Sequence, residues 1–207
     1  MISKHVYAIG AAFAAVGLAT LAAPNSATAH DVAAEIGKVR LATAKYNDVK
    51  DALAAGYVLA PPGDCVTAAK EGLPPAWGGM GIHSINPKML MITGAEPKVS
   101  GESTHTDFLN PAILLYEPRA DGTLKLVGVE NLVFLNAWHA AGNAAPPSFA
   151  GRSYDTMADY AGTEADEAHH FEPHHDQHIY FAKSANPRDQ LNPFNTSVTC
   201  EHFKGNK

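Results

Sequence analysis

The sequence predicts an α+β fold: a single domain in which an antiparallel sheet packs against a long N-terminal helix and a disulfide closes the chain. Three observations carry this. An apolar stripe of helical period occupies one early segment. Short apolar runs bounded by Asn-Pro and Asp-Gly follow it, without the alternation that βαβ units require. Two cysteines, Cys65 and Cys200, lie far apart in the chain.

The helix is expected across Asp31 to Ala55. Ile36, Val39, Tyr46, Val49 and Leu53 recur at spacings that place them on one face, and Lys38, Lys45, Asp48 and Asp51 fall largely off it. Gly56 stands where a C-terminal cap belongs, and Pro61-Pro62 prevents the helix from resuming. Such a stripe packs against a sheet, so it carries stability rather than chemistry.

Strands follow. Met80 to Asn86 (MGIHSIN) stops at Asn86-Pro87, and Ala112 to Glu117 (AILLYE) begins after Asn110-Pro111. Asp121-Gly122 is a strong turn pair, so Leu124 to Leu135 returns antiparallel to the strand before it. Residues 136–167, rich in Ala, Gly, Pro and Asp, read as a long excursion with one short helix. A further strand is expected over His178 to Lys183, and a final segment runs through Val198 to the second cysteine.

The chain start sets the compartment. Lys4 precedes an apolar run from Val6 to Ala23, and Ala27-Thr28-Ala29 offers the small residues a signal peptidase reads. Residues 1–29 are expected to be a signal peptide and 30–207 a periplasmic or secreted domain. The whole chain has 15 basic and 21 acidic side chains, and the leader removes only Lys4. An acidic balance without a basic cluster argues against nucleic-acid binding. No later run approaches the ~18 apolar residues of a membrane span. An even cysteine count in an exported chain favours a Cys65–Cys200 disulfide over soft metal ligation, since there is no CxxC and only His202 lies near Cys200. Closing so long a loop is worth roughly 4–5 kcal/mol in the chain-entropy account.

Candidate chemistry comes from polar side chains that interrupt apolar strand faces. With a period of two, His83 shares a face with Gly81 and Ile85, and Glu117 with Ile113 and Leu115. Glu130 shares its face with Leu124, Leu126, Leu132 and Phe134. A carboxylate on a buried face is costly unless it is paired, hydrogen-bonded or bound to a metal. His178 opens the next strand and supplies a second imidazole. Two imidazoles and two carboxylates suit a divalent transition metal, with Cu or Zn favoured. Without metal, the same set suits general acid–base work on a small molecule, with Glu130 as base. Read singly, each residue also has a plain structural role: Glu117 at a strand end before Pro118, Glu130 across from a lysine, His83 bonded to a carbonyl.

The stretch Ala168 to Phe181 (AHHFEPHHDQHIYF) concentrates five of the eleven histidines. His170, His174 and His178 lie at four-residue steps, which would stack them on a helix, but Pro173 opposes a continuous one. His178 is the member assigned to the buried site, His174 and His175 are rim ligands, and His169 and His170 form a solvated, cation-attracting approach. A third reading leaves the tract as a His-rich surface of a non-catalytic binding domain. Cleavage after Ala29 would also make His30 the mature N-terminus, where α-amine and ring together can chelate copper.

The chain resembles a family of small exported bacterial proteins of uncharacterised function. The resemblance rests on ATAKYNDVKDALAAGY at 42–57, Cys65, MGIHSIN at 80–86 and LLYEP at 114–118. It continues with LKLVGVEN at 124–131, HIYF at 178–181, Asn192-Pro193 and Cys200. It implies no activity, but His83, Glu117, Glu130 and His178 all fall within the matching segments. The chain departs from the pattern at Ser84, where an aromatic is usual, and in the extra histidines of 169–175.

Overall fold

The computed structural model describes residues 28–60, 63–160, 162, 166 and 168–205. The leader up to residue 27 therefore lies outside the described residues. Helix α1 (Ala29–Thr43) begins on a capping box in which Thr28 and Asp31 satisfy each other's backbone donors. His30 sits exposed in its first turn. Cleavage after Ala29 would remove the Thr28 half of that cap.

The expected long helix does not form as one piece. Thr43 turns its hydroxyl back onto the Val39 carbonyl (2.8 Å), and a 3-10 turn over Ala44–Asn47 follows. Asp48 is extended and caps a second helix, α2 (Val49–Ala54), by accepting from Lys50 N (2.9 Å). The break spans Thr43 to Asp48; between Val39 and Tyr46 the large apolar side chain of Leu41 is exposed and does not sustain the stripe. Val32, Ile36, Val39 and Tyr46 are nonetheless buried, while Leu53 at the stripe's end is exposed.

Strands β1 (Val58–Leu59), β2 (Cys65–Thr67) and β3 (Gly79–Ile85) come next. A small pair, β4 (Ile92–Gly94) and β5 (Ser100–Gly101), precedes the expected hairpin of β6 (Ile113–Pro118) and β7 (Leu124–Phe134). Helix α3 (Leu135–Ala140) opens the excursion, which also holds β8 (Ser148–Phe149), β9 (Arg152–Ser153) and β10 (Asp155–Met157). The last strand, β11, spans His174–Tyr180. It starts four residues earlier than expected, because β7 and β10 supply partners on both sides for His174, His175 and Asp176. The segment through Val198 forms no strand and meets the sheet in a single bridge, Asn195 to Gly79.

The main sheet is antiparallel, in the order β1-β3-β6-β7-β11-β10, with β2 also paired to β3. Its two faces carry separate cores. Leu114, Tyr116, Leu126, Val129 and Ile179 pack with the α1 residues and Tyr46. Ile113, Leu115, Val127, Leu132, Phe134 and Tyr180 pack on the other side with Leu90, Val99 and Phe171. A bulge in the hairpin sets which residue goes where. Leu115 pairs with Gly128 but Tyr116 with Leu126, so Val127 is an extra residue on β7. Before the bulge Leu124 and Leu126 face α1; after it Leu132 and Phe134 face away. The expectation that Glu130 shares a face with Leu124 and Leu126 fails for this reason.

Cys65 and Cys200 are joined, with Cα atoms 5.8 Å apart across 135 residues of chain. The bond ties the C-terminal segment to β2 at one sheet edge. Among the described residues, no helix is long and apolar enough to cross a membrane.

Candidate metal centre

Register brings three predicted residues together on the face away from α1. Ile85, Ile113, Glu130 and His178 form one row across β3, β6, β7 and β11. His83 lies one step along β3 in the next row, with Leu115, Gly128 and Tyr180. From there its Nε2 reaches 3.3 Å from Glu130 Oε2, while His178 Nε2 reaches 3.4 Å from the same oxygen. All three ligand atoms lie within 4.8 Å of one another.

This convergence is not a hydrogen-bonded network. Glu130 Oε2 and His178 Nε2 are buried and have no hydrogen-bond partner. Leaving such groups unpaired costs on the order of 1–3 kcal/mol each. The spacing fits a different arrangement. Two ligands bound to one zinc at about 2.0–2.1 Å with tetrahedral angles sit about 3.4 Å apart. The His83, Glu130 and His178 group could therefore hold a metal ion.

Neighbours orient the ligands. His178 stacks on Tyr180 at 6.0 Å between centroids and 11° between planes, and the Tyr180 hydroxyl donates to Pro193 O (2.7 Å). Asp176, two residues back on the same face, places Oδ2 3.8 Å from His178 Nδ1. At 3.8 Å this is longer than a hydrogen bond, but an oxygen acceptor on the Nδ1 side is the arrangement that favours the tautomer leaving Nε2 unprotonated. Asp176 was missed as a site residue because the strand was expected to start at His178; the alternation of 174, 176 and 178 in HHDQH was the available signal.

The electrostatics pull in opposing directions. Burial acts to raise the Glu130 carboxyl, but His178 and then His83 beside it outweigh that and hold it at about 2. Burial lowers His178 to about 4, against the pull of Glu130. Above that pH His178 is neutral, as a metal ligand must be, and it no longer supplies the cation that Glu130's low value presupposes. Asp176 is raised well above the usual carboxylate range by burial and by Glu130.

The other predicted ligands do not join this group. Glu117 lies four residues along β6 from Ile113, roughly 13 Å away. It accepts hydrogen bonds from Thr199 N (2.6 Å) and Thr199 Oγ1 (3.2 Å), a strand-end role. His175 points to the opposite face of β11, with Nδ1 3.0 Å from Thr156 Oγ1. His174 is on the correct face and lines the same cavity, but its Nδ1–H donates to Glu172 O (2.9 Å) and it is not one of the three converging ligands. His169 and His170 are half-buried in the cavity wall rather than solvated.

The cavity has a volume of about 400 Å³. Glu130, His83 and His178 line it with Asp176 and His174, together with Glu71, Asp64 and Lys70. Compared with protein-family profiles, curated proteins and solved structures, the chain matches none of them. The functional reading therefore stands on this geometry.

Proposed function

We propose that this protein binds one divalent transition metal, zinc or copper, through His83, Glu130 and His178, in the periplasm or outside the cell. The observation that carries the reading is the convergence of three ligand atoms on one point, with Glu130 Oε2 and His178 Nε2 buried and unpartnered. Two imidazoles and one carboxylate are a donor set that Zn(II) and Cu(II) take well. Three protein ligands leave a coordination position, which faces the cavity, so a bound ion could polarise a small molecule there. The Cys65–Cys200 disulfide is consistent with an oxidising compartment.

The test is metal content of untagged protein, wild type against Glu130→Gln and His178→Ala, after exposure to Zn(II) or Cu(II) and desalting. One ion per chain in the wild type and a tenfold or greater loss of affinity in both variants supports the reading. Equal stoichiometry and affinity in all three removes these residues as ligands.

A further inference from the structure

The metal cavity is not closed off from its surroundings. A second concavity of about 610 Å³ adjoins it and shares Glu71, Met80, Asp166 and His169 with it. Its character is different: Leu73, Ala76, Trp77, Met157, Pro193 and Phe194 line it. Trp77 is 49% exposed and Leu73 36%, and the Trp77 ring lies 6.4 Å from that of Phe194. Large apolar side chains gathered along a concave surface mark a binding groove.

The shared wall is built with care. His169 and His170 both have left-handed backbone, φ 50° and 68°, which side-chain-bearing residues rarely adopt. Flanking hydrogen bonds hold them there: Val99 N donates to His170 O (2.8 Å) and Glu172 N to Val99 O (2.9 Å). Such locally unfavourable backbone persists where the surroundings enforce it, and it turns His169 into the junction of the two spaces. His169 Nδ1 lies 3.7 Å from Glu71 Oε2 across that junction.

We propose that cavity and groove form one ligand site for a small molecule with an uncharged oxygen-donor head and an apolar body. The head reaches the metal coordination position, and the body lies against Trp77, Leu73 and Phe194. This rests on the metal reading above. The polar rim selects an uncharged head: Glu71 already faces His169 (3.7 Å) and Asp166 faces Lys98 (3.2 Å), so the passage offers an ionic head no free counter-charge, whereas an uncharged head crosses it without leaving an ion unpaired. The concave junction with a buried cavity selects a small molecule over a flat protein face.

The test uses the zinc-loaded protein and a series of straight-chain primary amides, from acetamide to octanamide, with octanoate as the anionic control. Zinc content is measured on the same sample. Affinity is expected to rise roughly fourfold per methylene as the chain enters the groove. Octanamide should bind at least tenfold more tightly than octanoate, and Trp77→Ala should flatten the length dependence. Protein that holds zinc but binds all chain lengths equally overturns the inference alone. Protein that holds no zinc refutes the metal reading and this one with it. A Trp77→Ala variant that changes oligomeric state and leaves the length dependence intact assigns the groove to a protein interface and also overturns it.

Discussion

Replacing Glu130 by glutamine separates a metal centre from an internal ion pair, because the two predict opposite signs in metal-free protein. If cationic imidazoles hold Glu130 at about 2, its charge contributes stability fully present above the unfolded value near 4.5. The 2.5-unit difference is worth about 3 kcal/mol, and Glu130→Gln would cost that amount. The structure favours the other outcome. His178 is held neutral down to about 4 by burial, and Glu130 Oε2 has no hydrogen-bond partner. In chelator at pH 8 the variant should therefore be more stable than wild type, by ~1–3 kcal/mol, since it removes a buried charge. With metal at a hundred times its dissociation constant, the wild type should gain about 2.7 kcal/mol and the variant almost nothing. For a chain of this size that is roughly 5–11 °C in Tm. The assay is thermal or urea unfolding of both proteins, with and without Zn(II). A variant that loses 3 kcal/mol or more in chelator, with no zinc response in the wild type, refutes the reasoning.

Two further outcomes follow from the same geometry. Burial lowers His174 to about 4, so the unfolded chain, titrating near 6.5, protonates first as pH falls. Its contribution is complete above about 6.5 and disappears by about 4, a loss of about 3 kcal/mol. Asp176, raised by burial, acts in the opposite direction, losing stability as pH rises above its unfolded value. The check is therefore the difference between wild type and His174→Gln in urea midpoint across pH 7 to 4, which should shrink as pH falls. The second outcome concerns Gly128, where an added Cβ would lie 2.6 Å from Ile179 O and 3.1 Å from the Tyr180 ring. Gly128→Ala must push β11 away from β7 at the point where Tyr180 supports His178. It should weaken zinc binding by tenfold or more with no ligand atom altered, read by calorimetric titration; an unchanged affinity would show that Tyr180 does not position His178.

How much of this was legible in the sequence depends on how local the deciding contact is. Strand period alone exposed His83 and Glu130 as interruptions of apolar faces, and that is enough to find two of the three converging side chains. It placed Glu117 with them only by assuming an unbroken ladder and a shared row. Parity is a statement about faces, and Glu117 fails by distance along the strand. The bulge at Val127 was harder to see, although Gly128 beside it is the kind of strand glycine that marks one. The helix break was not legible because the apolar stripe runs on through Tyr46 and Val49, although Asp48 is a residue type that caps a new helix.

The histidine tract shows where local reasoning stops. Pro173 opposes a helix, and it stands at the threshold of a strand that β7 and β10 pair from its two sides. Once that strand starts at His174, alternation divides the tract: His174, Asp176 and His178 face the cavity, and His175 faces Thr156. His169 and His170 then follow from a long-range bridge to Val99, which no spacing in their own segment could announce. The tract is therefore not one polyvalent patch with affinity spread over five imidazoles. It divides into one buried candidate ligand, His178, with the Asp176 side chain behind it, and His169 and His170 half-buried in the cavity wall. That division predicts one tight metal per chain, because among the described residues one point gathers three such donor atoms, and His178 is the tract's contribution to it.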